Sequence, residues 1–217
     1  MAYIVDIETV AADGIAFEPA QAPANYKDPA KIAAYIAEAE AAQRDKAALY
    51  PWTARVIALG WCHDGDEVVD SRLANNDSKE TTMLRDFWER VSDERTGLSS
   101  LIGFNHLGFD LPVLVARSLL LGVKAPVVNL DRYRTPHIDL MQRLTFNGAI
   151  PARSLKWFAS RFGLNTDDAF SGALIAQLYE DQNWDAITAH VVSDVTLTRQ
   201  LAERVGVIKG LPRRAVA

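Results

Sequence analysis

The chain opens, at residues 2–9, with the stretch AYIVDIET, in which two acidic residues follow an apolar run. The run is rich in strand-forming residues and is followed by the turn residues 12–14, so it predicts a first strand from Ala2 to Ile7. Because side chains alternate across a strand, Asp6 and Glu8 project from one face. Two like charges on a central strand repel each other and lose hydration. The pattern indicates either a solvated strand end or a cation site.

Hydrophobic periodicity downstream predicts further strands and helices. Strands are predicted at 55–62, 67–73, 99–105 and 136–140, and helices at 30–49, 78–91, 111–122, 154–162, 171–179 and 184–205. Residues 11–50 form a loop followed by a helix with a thin apolar stripe, which indicates a surface insertion. A hairpin followed by alternating elements predicts an α/β fold with a mixed sheet. The length fits one domain over residues 1–217.

Composition is that of an ordinary globular protein, with 217 residues, 49% hydrophobic and 24% charged. It excludes wholesale disorder. The single cysteine excludes an internal disulfide, and no stretch suits a signal peptide or a membrane span, so we expect a cytoplasmic protein with no membrane contact. The net charge of −5 argues against a protein that coats nucleic acid. Residues 117–161, with eight basic and two acidic side chains, suit local binding.

The last predicted helix carries an acid on its apolar side. At 100° per residue, Asp194 falls within the arc formed by Ile187, Val191, Val195, Leu201, Ala202 and Val205. His190 lies one turn earlier on the same side. A solvated aspartate belongs on the opposite face, so Asp194 is expected either to be hydrogen-bonded internally or to hold a metal.

The segment GFNHLGFD, residues 103–110, joins the fourth strand to the next helix, where ligands collect in open α/β sheets. Asp110 could cap that helix, and Asn105 could stabilise a turn. Phe104 and Phe109 could stack on bases.

Residues 153–162 hold a second aromatic group beside basic side chains. Trp157 and Phe158 could also stack on bases. Their helical spacing with Phe162 favours a place in the core. Asp139 could either hold neighbouring functional residues in place or cap a helix.

Three short motifs, in order, resemble those of the DEDD superfamily of 3′→5′ exonucleases. They are Asp6-Ile7-Glu8-Thr9, the Asn-x-x-x-Phe-Asp run that ends at Asp110, and His190-x-x-x-Asp194. The branch that the chain resembles most comprises stand-alone proteins similar to the exonuclease domain of family-B DNA polymerases. The stretches HIDL at 137–140, SLK at 154–156 and NYKDP at 25–29 also fit this branch. The likeness therefore covers nearly the whole chain.

The resemblance implies a ribonuclease H-like fold, a mixed five-stranded sheet flanked by helices with a helical insertion after the first strand. It implies that Asp6, Glu8, Asp110 and Asp194 hold two divalent cations, Mg²⁺ or Mn²⁺. The implied reaction is metal-dependent 3′→5′ hydrolysis of phosphodiester bonds at the 3′ end of single-stranded nucleic acid, with DNA as the expected substrate. A two-metal-ion mechanism would release nucleoside 5′-monophosphates. Substrate-binding positions on the same basis are Thr9, Phe104, Asn105 and Phe109.

Two other functions remain open. One is a 3′→5′ exoribonuclease, and the other is a catalytically silent module that binds nucleic acid or a replication or repair protein. The silent module requires a missing carboxylate, and none of the four is missing.

His190 departs from the family pattern. The polymerase-like branch usually has tyrosine four residues before the last aspartate, whereas the histidine branch places histidine five before. This chain has histidine at the tyrosine spacing. His190 is expected to act as a general base, with a water-orienting or purely internal role as the alternative.

Overall fold

A five-stranded sheet forms the centre of the computed structural model, which describes residues 1–93, 95, 97–167 and 172–209. The strands are β1 (Ala2–Ala11), β2 (Ala54–His63), β3 (Asp70–Leu73), β4 (Ser100–Gly103) and β5 (Ile138–Asp139). Their spatial order is β3-β2-β1-β4-β5. Strand β2 runs antiparallel to β1 and β3, whereas β1, β4 and β5 are parallel. The mixed five-stranded sheet predicted from the sequence is confirmed.

Seven α-helices lie within the described residues. They are α1 (Pro29–Asp45), α2 (Asp77–Val91), α3 (Asp110–Leu120), α4 (Leu140–Leu144), α5 (Leu155–Arg161), α6 (Ile175–Glu180) and α7 (Trp184–Arg204). Short 3₁₀ turns occur at Ala47–Leu49 and Gly172–Leu174. Helix α4 was not predicted, because five residues are too few to show helical periodicity. The predicted start of the 171–179 helix, Ser171, lies outside the described residues.

Helices cover both faces of the sheet. Helices α2 and α3 pack on the face that carries Val5, Ile7 and Trp61. Helices α5 and α7 pack on the face that carries Ile4, with Val195 in the same cluster. Since side chains alternate along β1, the side chains of Asp6 and Glu8 follow Ile4 onto the α7 face. The two acids therefore face the helix that carries Asp194.

The insertion after β1 lies on the surface. It spans residues 12–53, because β1 continues to Ala11 and pairs there with Ala54 of β2. Its helix α1 contains no buried residue, which confirms the surface position. The Thr9 hydroxyl donates to the Ala48 carbonyl at 2.7 Å and fastens the insertion to the first strand.

A buried ion pair joins α2 to α3. The Glu80 carboxylate is inaccessible to solvent and accepts bonds from Arg117 Nε at 2.8 Å and from a terminal nitrogen of Arg117 at 2.6 Å. It also accepts the backbone N–H of Val56 at 3.0 Å. Arg117 is therefore buried and unavailable to nucleic acid, although the sequence counted it among the basic residues 117–161. No helix among the described residues has the length and apolar character needed to cross a membrane.

Candidate active site

The close approach of α7 to the sheet depends on Gly60. Gly60 lies opposite Asp6 in the β1–β2 pairing. A Cβ atom at this position would lie 3.0 Å from Val195 Cγ2 and 3.1 Å from Val191 Cγ2. Because glycine has no side chain, α7 can approach the sheet closely at the position of Asp6 in β1. The sequence signal was a glycine inside an otherwise apolar strand, and it was missed.

Helix α7 places His190 and Asp194 against Glu8 of β1. His190 Nε2 lies 3.3 Å from Glu8 Oε1 and 3.9 Å from Asp194 Oδ2. His190 and Glu8 are buried, and the Asp194 side chain is 20% exposed. Asp194 therefore lies on the same side of α7 as the buried His190, which agrees with its place on the apolar arc.

The carboxyl group of Asp6 interacts electrostatically with three other acidic side chains. Its pKa is raised well above the ordinary value, first by burial and then by the charges of Asp110, Glu8 and Asp194. Residues from three distant stretches of the chain thus converge around one carboxyl group. The geometry brings together all four acids that the sequence singled out.

Asp110 joins this group from the first turn of α3, directly after the loop that follows β4. The parallel pairing of β1 with β4 sends the carboxyl ends of both strands to one edge of the sheet. The N-cap of α3 is Phe109, and Asp110 is the first helical residue, so Asp110 does not cap the helix with its side chain. Burial raises the pKa of Asp110 to about 7. The charge of Asp139 adds to the rise, whereas backbone hydrogen bonds from Asp110 itself and from Ile7 oppose it.

The loop before Asp110 is held by Asp139. One oxygen, Oδ1, accepts the N–H of Asn105 at 3.0 Å, and the other, Oδ2, accepts the N–H of Leu107 at 3.2 Å. Oδ1 also caps α4, accepting the N–H groups of Met141 and Gln142. Asp139 therefore caps α4, one of the two alternatives from the sequence, and its bonds to the loop are compatible with the other, support of the site, which stays a prediction.

The four predicted substrate-binding residues make structural contacts of their own. Asn105 has a φ of 63° and its carbonyl accepts the N–H groups of Gly108 and Phe109, so it stabilises the turn. Phe104 and Phe109 are partly buried and pack against different core clusters. The Thr9 hydroxyl donates to the insertion. Contact of these residues with a substrate stays a prediction.

The core placement expected for the aromatic residues of α5 is only partly right. Phe158 is buried, but Trp157 is 47% exposed and Phe162 is 38% exposed. Trp157 packs edge-on against Phe158 at 5.0 Å and leaves its other side to solvent. Helical spacing alone could not show this, because α5 is too short to bury a full stripe.

The residues present suit a divalent metal ion. Ligand atoms from Glu8, His190 and Asp194 lie within 4.8 Å of one another. Hard cations such as Mg²⁺ and Mn²⁺ favour carboxylate oxygens. The raised pKa of Asp6 indicates an excess of negative charge that a cation would offset.

Comparison with known proteins bears on the fold and the family of this chain. No curated protein matches the chain. Among solved structures, the family B DNA polymerase from the hyperthermophilic archaeon Pyrobaculum calidifontis is similar, with 21% identity and a TM-score of 0.60. The match covers 94% of this chain and 24% of the polymerase, so this chain spans about a quarter of that protein's length. The likeness supports the ribonuclease H-like fold.

The family comparison covers most of the chain. Residues 51–211 match a family model described as a predicted 3′–5′ exonuclease related to the exonuclease domain of PolB. The matched range contains Asp110, His190 and Asp194, and β1 supplies Asp6 and Glu8 from outside it. The chain belongs to this family of predicted 3′–5′ exonucleases related to the exonuclease domain of family B DNA polymerases.

Proposed function

We propose that this protein is a metal-dependent 3′→5′ exonuclease that hydrolyses the terminal phosphodiester bond of single-stranded DNA and releases nucleoside 5′-monophosphates. The observation that carries the proposal is the convergence of Asp110, Glu8 and Asp194 on Asp6. Membership of the exonuclease family supports the reaction. The similarity to a DNA polymerase supports DNA as the substrate.

The four carboxylates would hold two divalent cations, Mg²⁺ or Mn²⁺. Such cations, when bound, withdraw charge from a phosphodiester and stabilise the negative charge that develops as it is hydrolysed. The protein's own contribution is to fix the four acids on two rigid elements, β1 and α7, and on the first turn of α3.

His190 is proposed as the general base. Its Nε2 faces Glu8 and Asp194, so it is placed to accept a proton from an attacking water. The neighbouring carboxylates would stabilise the resulting imidazolium. The water oxygen forms a bond to the terminal phosphorus while the bond from that phosphorus to the 3′ oxygen breaks. The proton of the water ends on Nε2, and the 3′ oxygen of the shortened strand takes a proton from solvent.

The proposal is tested with a 5′-labelled single-stranded DNA oligonucleotide incubated with Mg²⁺, with Mn²⁺ or with a chelator. We expect a ladder that shortens from the 3′ end with either cation, nucleoside 5′-monophosphates as products and no cleavage in chelator. An RNA strand of the same sequence tests the ribonuclease alternative. Preferential RNA cleavage would overturn the choice of DNA, and failure to cleave either strand would overturn the proposal.

Matched variants separate catalysis from folding. Asp6→Ala and Asp194→Ala are expected to abolish cleavage while the far-ultraviolet circular dichroism spectrum is retained. The control is Asp66→Ala, which removes an exposed acid from the turn after β2 and should cleave like the wild type. Retained cleavage in either site variant would contradict the assignment of the acids.

The free, buried thiol of Cys62 requires no oxidising compartment and supports a proposed cytoplasmic location, where replication or repair proteins are candidate partners.

A further inference from the structure

A cleft lies on the β5 side of the sheet, against the loop that leads to Asp110. It has a volume of about 440 Å³, and Leu107, Asp139, Arg132, Arg143 and Phe146 are among its lining residues. This volume is within the range of pockets that hold small ligands. The cleft is built by α4, the turn after it and the segment before β5.

The cleft has the chemistry of a single-stranded nucleic-acid site. Arg132 and Arg143 are exposed, and within the described part of the chain neither guanidinium has a carboxylate partner. Phe146 is 70% exposed and has a φ of 52°. Two free guanidinium groups suit two phosphates, and an exposed aromatic ring suits a base.

The stretch of sequence that supplies most of the cleft is rich in exposed basic residues. Besides Arg132 and Arg143 it holds Lys124, Arg134, Arg153 and Arg161, whereas Asp131 is the exposed acid within the described residues 124–161. The whole chain carries a net charge of −5, so this concentration of positive charge is local. Clusters of this kind attract a polyanion.

One loop borders the cleft and leads to Asp110, one of the four acids. Leu107 lines the cleft, and its backbone N–H is bonded to Asp139, another lining residue. The same loop continues into Asp110, which interacts with Asp6. A strand whose 3′ end reaches the acids therefore has the cleft beside it for a nucleotide farther toward its 5′ end.

We propose that this cleft is a binding site for single-stranded DNA upstream of the scissile bond, with Arg132 and Arg143 on phosphates and Phe146 stacked on a base. The inference rests on the proposed exonuclease function and extends it from the terminal nucleotide to the strand that carries it. It implies that the enzyme prefers strands of several nucleotides over very short ones.

Binding of fluorescein-labelled (dT)₁₂ and (dT)₃ to the full chain tests the cleft, with fluorescence anisotropy measured in Mg²⁺ at several salt concentrations. Phosphorothioate linkages at the 3′ end slow hydrolysis of the probe. The double variant Arg132→Ala/Arg143→Ala should bind (dT)₁₂ at least about tenfold more weakly and lower the salt slope by about 1.4. The loss should be smaller for (dT)₃.

Phe146→Ala should weaken binding of (dT)₁₂ by about fivefold or more without lowering the salt slope, because stacking releases no counterions. The matched control is Arg85→Ala/Arg90→Ala, which removes two exposed arginines from α2 and should bind like the wild type. Circular dichroism verifies the fold of each variant. This pattern separates phosphate contacts from base stacking.

The possible outcomes distinguish this inference from the proposed function. If the wild type cleaves DNA but the double variant keeps its affinity and salt slope, the cleft assignment is overturned and the exonuclease remains. If the wild type cleaves no nucleic acid but the arginine variants lose binding, the exonuclease is overturned and the binding site remains. Tighter binding of (rU)₁₂ than of (dT)₁₂ would overturn the assignment to DNA.

Discussion

The Nε2 atom of His190 lies 3.3 Å from Oε1 of Glu8, so an imidazole on α7 faces a carboxylate on β1. The same nitrogen is 3.9 Å from Asp194. This position suits a base that receives a proton between two acids, and it also suits a metal ligand. The two roles make different predictions for the same variant.

His190→Ala is expected to lower kcat by about a hundredfold or more, since general-base catalysis contributes on that order. The Mg²⁺ concentration for half-maximal activity should stay close to the wild-type value. Cleavage rates measured over a Mg²⁺ titration report both quantities. Wild-type turnover would reject the base, and a large rise in the half-saturating Mg²⁺ concentration would show that His190 is a ligand.

Asp139→Asn is expected to lower both stability and turnover. The amide keeps one acceptor oxygen and presents an NH₂ group to backbone N–H groups that need an acceptor. We expect the free energy of unfolding to fall by about 1–3 kcal/mol and kcat/KM to fall by roughly ten- to a hundredfold as Asp110 moves. Urea unfolding and cleavage rates measure the two effects. Asp131→Asn, in an exposed turn, is the control. If it lowers stability and kcat/KM as much as Asp139→Asn does, the effect is not specific to Asp139.

His106→Leu tests the pH dependence of stability. Burial lowers the pKa of His106 from 6.5 to about 3, and the nearby His137 contributes to the shift. Below pH 6.5 the unfolded chain binds a proton at this position and the folded chain does not, so the wild type loses stability as the pH falls. The stability difference between the leucine variant and the wild type should therefore grow by about 2 kcal/mol, in favour of the variant, between pH 8 and pH 5. Urea unfolding at both pH values measures it, and parallel pH profiles would contradict the shift.

Gly60→Ala is expected to push α7 away from β1. The added methyl would lie 3.0 Å from Val195 Cγ2, next to Asp194 in the chain. We expect a loss of about 1–3 kcal/mol in the free energy of unfolding and a lower kcat. Adding Val195→Ala should restore part of both, since it removes the clash. Gly65→Ala is the control, because its nearest contact would be an ordinary 3.4 Å; losses of the same size in both variants would exclude a specific effect on α7.

Glu80→Ala is expected to lower the free energy of unfolding by about 3–5 kcal/mol, because the buried Arg117 loses both hydrogen bonds to Glu80 and keeps only the more distant carboxylate of Asp77, at 3.7 Å, among the described residues. Replacing both residues with leucine should cost less than removing Glu80 alone. Asp13→Ala, which removes an 86%-exposed partner of Arg55, should cost less than about 1 kcal/mol. Urea unfolding compares the variants, and a cost for Glu80→Ala as small as that for Asp13→Ala would show that the pair is not needed.

The sheet and most helices could be predicted from the sequence because their signals are local. The alternation around Asp6 and the apolar arc around Asp194 are properties of single elements, and each places its acid correctly. The bonds from Asp139 to the loop at 105–107 could not be predicted, because they join residues that periodicity treats separately. The pairing of Glu80 with Arg117 was missed for the same reason, although each is a charge within an apolar helix face.

The exposure of Trp157 could not be predicted either. It depends on how α5 is oriented on the sheet, which the spacing of aromatic residues within one short helix does not determine. The cleft at Arg132 and Arg143 has the same origin, since the turn that carries Phe146 brings separate segments together. Resemblance to a family supplied the order of the acids and left these surface features open.

The insertion leaves the sheet at Ala11 and returns at Ala54, and these two residues are paired neighbours in the ladder. Its two ends are thus already close in space, and a tight hairpin turn could join the same strands without changing their register. We therefore expect that a shorter connection can replace the segment while the strand that carries Asp6 and Glu8 keeps its alignment.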